Sequence, residues 1–234
     1  LSLDAAGPYF FGAEGWKLAP EHFAERHGLI VIVALGESIV AIGAGVETAV
    51  TIGVIAAAIV GVGIAATQWW IYFDLSQIAS ARRLASIEDT RERNELARDS
   101  YSYIHFLLVA GIVLVALGMK KTIGDVGEPL KVVPAFALAG GAALYLLGLV
   151  AFRWRHIRNL AHRRAIAGGL CLAFFPAALE LPALVSATVI FLIMTVMVIL
   201  DTRAYGERRY QLRHGLMAAP GERTAEQATT GPAG

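Results

Sequence analysis

The chain has 234 residues, of which 56% are hydrophobic and only 17% charged, and its mean hydropathy is +0.59. A soluble globular chain carries about 25% charged residues, so a water-soluble domain is excluded. The net charge of +1 says nothing about partners, its distribution says more, and no nucleic-acid partner is expected. The single cysteine, Cys171, lies in an apolar run and excludes a disulfide framework within the chain.

Charges cluster between long apolar stretches, and a bilayer span needs about 20 mostly apolar residues. The expected fold is all-α, a polytopic transmembrane bundle of about six spans. They are predicted at Gly28–Val46, Thr51–Phe73, Ser102–Met119, Val132–Phe152, Ala165–Leu181 and Ala183–Leu200. The fifth is short and holds Pro176, which removes a backbone hydrogen bond. It meets the sixth at Pro182, so the last two are either two spans or a short re-entrant hairpin. Residues 1–19 read as a connector from a missing N-terminal part, 20–202 as the membrane domain, and 203–234 as a largely disordered tail. The chain begins at Leu1 without a signal peptide, as a fragment of a longer protein would.

Basic residues set the orientation. Lys17, Arg26 and three groups of five Arg (between spans two and three, between spans four and five, and after span six) fall on one side. Lys120, Lys121 and Lys131 fall on the other, a 17-to-3 division of the 20 Lys and Arg. Both ends of the chain are therefore expected in the cytoplasm, and the protein in a bacterial inner membrane with lipids as its immediate partners.

The first span carries the strongest functional signal. Pro20 suits a first helical turn. At 100° per residue, His22, Glu25, Arg26, Leu29, Val33, Glu37 and Val40 share one stripe. Glu37 lies roughly 16 Å deeper than Arg26 at 1.5 Å per residue, near mid-bilayer. A carboxylate there costs about 2.5–3.5 kcal/mol on insertion scales and by default marks a functional site. The alternative is a protonated acid bonding a neighbouring helix for packing.

The second span has Gly53, Ala57, Gly61 and Ala65 at every fourth position, a small-residue face for close helix approach. It ends in Thr67-Gln68-Trp69-Trp70-Ile71-Tyr72-Phe73-Asp74, an interfacial aromatic belt followed by an acid. Asp74 is placed to pair with Arg26. The next segment, 74–101, reads as a solvated helix with weak i,i+4 pairs such as Asp89 with Arg93.

His105 opens the third span about one turn inside the boundary, where His22, Glu25, Arg26 and Asp74 are also expected. Carboxylates and histidines on several helices are what a proton relay requires. His22 and Glu25 at i,i+3 also match a spacing used in carboxylate-bridged metal sites, but a third ligand is not evident, and neither a metal nor another cofactor is expected. The run Arg153–Arg164 reads as snorkelling cations with His156 and His162 beside them. Glu180 reads as a wet interfacial carboxylate.

The run His22-Phe23-Ala24-Glu25-Arg26-His27-Gly28-Leu29, continued by Ala34-Leu35-Gly36-Glu37-Ser38, resembles the low temperature requirement protein A (LtrA) family of bacterial membrane proteins. Trp69-Trp70-Ile71-Tyr72-Phe73-Asp74 and His105 are similar to that family too, and the resemblance runs from about Pro20 to Leu200. Two features depart from it. A Glu-Leu-Phe-Phe-Asp-like motif that opens family members is absent, and His27 stands where an aromatic residue is frequent. The resemblance implies a longer parent with an N-terminal half as partner, but no established reaction. Three functions follow as expectations: an ion- or proton-coupled transporter centred on Glu37, a structural or assembly protein with Glu37 as packing glue, or a membrane-embedded metal-dependent enzyme.

Overall fold

The computed structural model describes residues 19–46, 49–157 and 161–204. Most of the expected connector 1–19 and of the tail 203–234, together with Arg158, lies outside the described residues. Among the described residues eight α-helices follow one another: α1 Pro20–Ala44, α2 Ile52–Ile71, α3 Gln77–Ala85, α4 Thr90–Ala97, α5 His105–Gly124, α6 Val132–Ile157, α7 His162–Ala178 and α8 Ala183–Ala204. Two π-helical segments interrupt them, Tyr72–Ser76 after α2 and Arg98–Ile104 before α5. Five helical stretches are long and apolar enough to cross a membrane, those containing α1, α2, α5, α6 and α8. The chain is an all-α transmembrane bundle.

Each helix contacts its neighbours in the order α1, α5, α6, α7, α8, α2 and back to α1, with α2 also touching α5. Helix α6 is the most deeply buried span. Its seam with α5 is the closest in the bundle, because glycines face each other across it. A Cβ on Gly111 would lie 2.7 Å from Tyr145 N and 2.9 Å from the Gly141 carbonyl. A Cβ on Gly141 would lie 2.8 Å from Val115 N. Those distances let backbones touch, which is how membrane helices gain dispersion contact when no hydrophobic driving force separates protein from lipid.

The small-residue face of α2 is also inward. Ala57 and Ala65 are buried. A Cβ on Gly61 would meet Ile42 on α1 at 2.7 Å and Met119 on α5 at 3.1 Å, and one on Gly53 would meet Val126 at 3.0 Å. Four hydroxyls within the spans are satisfied locally: Ser38, Thr67, Thr122 and Thr188 each donate to the carbonyl four residues back, a bond that costs no partner from another helix.

Helix α7 has 17 residues, about 26 Å at 1.5 Å per residue, and it runs the height of the bundle with α8. At one end Arg164 of α7 meets Asp201 of α8. At the other, the N–H groups of Ala183 and Leu184 donate to the carbonyls of Glu128 and Val126 at 2.9 and 3.1 Å. Those carbonyls belong to the α5–α6 loop and satisfy donors that the start of α8 would otherwise leave open. With 17 residues, α7 is not among the five span-length stretches, where about six spans were expected. Pro176 sits in the last turn of α7, where its missing N–H leaves the Leu172 carbonyl without its intrahelical donor.

The segment 74–101 is not one solvated helix. Asp89 caps α4, its Oδ1 accepting from Arg91 N at 2.7 Å and Glu92 N at 3.1 Å. The i,i+4 ion pair of that helix is Arg91 with Glu95 at 3.1 Å. Leu84, Ile87, Leu96, Ala97 and Tyr101 are buried with Ala24 and Phe152 in a second, smaller core. That core lies at the end of the bundle that carries the arginine-rich connectors.

Candidate functional site

The six polar residues singled out in the sequence fall in three places. His22 and Glu25 pair on α1 at 3.4 Å, with both side chains mostly exposed. Arg26 and Glu37 are exposed on the same helix. The stripe predicted for α1 is therefore real as a stripe, but none of the described residues covers it. Leu29, Val33 and Val40, which flank Glu37 along it, are 60–66% exposed. The opposite face carries Val31, Leu35, Ser38 and Ile42, all buried. Packing explains the rotation: the apolar and small residues of that face meet α2 and α5, leaving the stripe with the acid outside.

Asp74 is buried, but among α7 and α8 rather than against α1. It lines a small hollow with Trp70, Ile71, Arg164, Met197, Asp201 and Thr202. The anticipated pairing with Arg26 does not form. Helix α2 contacts α8 as well as α1, and the π-helical segment at Tyr72–Ser76 breaks the 100° phase on which that expectation rested. Arg164 Nε donates to Asp201 Oδ2 at 3.0 Å, and Arg163 approaches Asp201 Oδ1 at 3.8 Å. The arginine run is thus not simply snorkelling. Arg155 likewise donates to Asp99 at 3.1 Å, and the same carboxylate accepts from Arg98 at 2.8 Å.

His105 is buried in a third place, an aromatic cluster between α1, α2, α5 and α6. Its Nε2 lies 3.3 Å from the Tyr72 hydroxyl. Its ring stands edge-on to His27 with centroids 5.1 Å apart. Tyr101 occupies the centre, with ring contacts to Phe23, His27, Phe152 and His156 at 5.0–5.9 Å. Nearby, Tyr145 of α6 donates its hydroxyl to the Gln68 carbonyl of α2, next to the π-helical segment.

Sequence reasoning missed most of these partners. His27 stood out only as a departure from a pattern. Asp201, an acid at the end of an otherwise apolar span, was the available signal for the Arg164 pair. Tyr72 was absorbed into the aromatic belt, of which Trp69 and Trp70 do remain exposed. Among the described residues no group of three or more His, Cys, Asp or Glu converges as metal ligands.

Bundle and buried ionic contacts together define a polytopic helical membrane protein. The family model of the bacterial low temperature requirement A protein (LtrA) matches residues 1–199, and the chain belongs to that family. An uncharacterised protein of Rhizobium meliloti (strain 1021) is 33% identical over 132 residues, a match covering 55% of this chain and 31% of that relative. No solved structure matches the chain.

Proposed function

We propose that the chain forms part of an ion- or proton-coupled transporter in the bacterial inner membrane, with Glu37 as its ionisable centre and both chain ends in the cytoplasm. One observation carries the reading: Glu37 is exposed in the middle of an apolar helix whose other face is packed. A carboxylate left in hydrocarbon is costly, and such groups normally face protein or a wet cavity. The translocation path then lies between α1 and protein outside the bundle described, with His22, Glu25 and Arg26 at its mouth. The transported species is a small cation or polar solute.

The same exposure supports a second reading, in which Glu37 is a hydrogen-bonding contact in an assembly and moves nothing. Proton flux separates the two. Protein is reconstituted into vesicles enclosing a pH-sensitive dye, and a potassium diffusion potential is imposed. Glu37→Gln abolishes the flux if the carboxyl carries the proton. Undiminished flux through the Gln variant sinks the transport reading and leaves assembly standing.

A further inference from the structure

The aromatic cluster at the arginine-rich end has polar atoms for which the described residues supply no partner. The Tyr101 hydroxyl and His156 Nε2 are both enclosed without a hydrogen bond, as is the Ser100 hydroxyl. Tyr101 and His156 are 2% and 5% exposed. Their rings meet edge-on with centroids 5.9 Å apart. Leaving either atom dry is expensive, because buried polar groups are satisfied by protein or by ordered water in nearly every native structure.

The two atoms are also complementary. His156 Nδ1 lies 2.9 Å from the Phe152 carbonyl, so Nδ1 carries the hydrogen and donates. In the neutral ring Nε2 is then an acceptor. The Tyr101 hydroxyl can donate and accept. We propose that an internal water site bridges Tyr101 Oη and His156 Nε2. One water satisfies both atoms, and an internal water ordinarily makes two to four such bonds.

The same cluster holds a second imidazole acceptor. His27 Nδ1 lies 2.8 Å from the Phe23 carbonyl, which leaves its Nε2 as an acceptor in the same way. His27 stacks between Tyr101 and His105, and His105 reaches the Tyr72 hydroxyl. Both tyrosines lie on π-helical segments, a geometry frequent at functional sites. The charged groups around His156 are Arg83 on α3 and Arg155 on α6. Arg155 is held by Asp99, and Arg83 lies 3.9 Å from Glu92. Cations on that side disfavour a resident cation, and their pairing with Asp99 and Glu92 leaves no free positive charge to hold an anion, so neutral water fits. This site does not rest on the transport reading of Glu37.

The test uses the full chain in lipid nanodiscs with nitrogen-15-labelled histidine. In a water-edited spectrum, His156 is expected in the Nδ1–H form with magnetisation transfer from water to its ring. Loss of one signal in His156→Phe, or in His156→Gln if the former does not fold, assigns it. Tyr101→Phe should weaken the transfer and lower the melting temperature, because the water loses a partner. Absence of the wild-type His156 signal from the water-edited spectrum overturns the site. Glu37→Gln should leave the signal unchanged, so a failed transport assay and a dry cluster remain distinguishable.

Discussion

Arg164 Nε donates to Asp201 Oδ2 at 3.0 Å, tying the first turn of α7 to the last turn of α8. Each residue alone opposes its helix dipole, since a cation at an N-terminus and an anion at a C-terminus are unfavourable. Together they cancel, and Arg164 is 4% exposed. The pair works as a clasp at the end of the bundle opposite the loop that caps α8.

Breaking that pair from one side should be costly. Asp201→Leu leaves the buried Arg164 guanidinium without its 3.0 Å acceptor, and loss of one partner of a buried pair costs about 3–5 kcal/mol. Arg164→Leu combined with Asp201→Leu should recover part of the loss, because the paired charges leave together while Asp74 stays buried beside them. Melting temperatures of the two singles and the double, in one detergent, give the coupling. Additive losses would show that the two side chains do not act as a unit.

The α5–α6 seam predicts a contrast between glycines. Gly111→Leu and Gly141→Leu push side-chain carbons into backbone at under 3 Å, and both should destroy the folded bundle. Gly36→Ala meets open space and should be neutral or raise stability by about 0.5–1 kcal/mol, as Ala replacing Gly in a helix does. Yield of monodisperse protein and its melting temperature read both. A folded, wild-type-like Gly111→Leu protein would contradict the packing described.

Spans were legible because hydropathy is a property of many residues at once. The stripe on α1 was legible as well, since periodicity fixes which residues share a face. Which face turns inward was not. Glu37 and Ser38 differ by about 100° around the helix, yet Ser38 is buried and Glu37 exposed. That choice depends on the residues of α2 and α5 that pack on α1. The Asp74 environment was hidden for a related reason. A π-helical segment changes phase without a strong sequence mark, and Arg164 and Asp201 are 90 or more positions away along the chain. The aromatic cluster draws on α1, α2, α5 and α6, a convergence that only the tertiary fold supplies.

Orientation has a clean chemical test. Cys171, the chain's single cysteine, is fully buried, so new cysteines report against a quiet background. Lys121→Cys and Arg163→Cys lie at opposite ends of the bundle on exposed positions. The charge division predicts that a membrane-impermeant maleimide labels Lys121→Cys in intact cells and reaches Arg163→Cys only after lysis. The reverse pattern inverts the topology.

Glu37→Leu decides what covers α1. In the chain alone the acid stands among Leu29, Val33 and Val40 on an exposed apolar stripe. If only lipid meets that stripe, Leu removes an insertion cost of about 2.5–3.5 kcal/mol, and the variant should melt higher than wild type. If a helix carrying a donor lies against it, Leu removes an interhelical hydrogen bond of about 0.6–2 kcal/mol. The assembly should then loosen, with a lower melting temperature and a smaller particle by light scattering. The expected result is the second. It should be accompanied by near-normal assembly of Glu37→Gln, which keeps both donor and acceptor. A higher melting temperature for Glu37→Leu at unchanged particle size would mean that α1 faces lipid, and a protein-lined path along it could not exist.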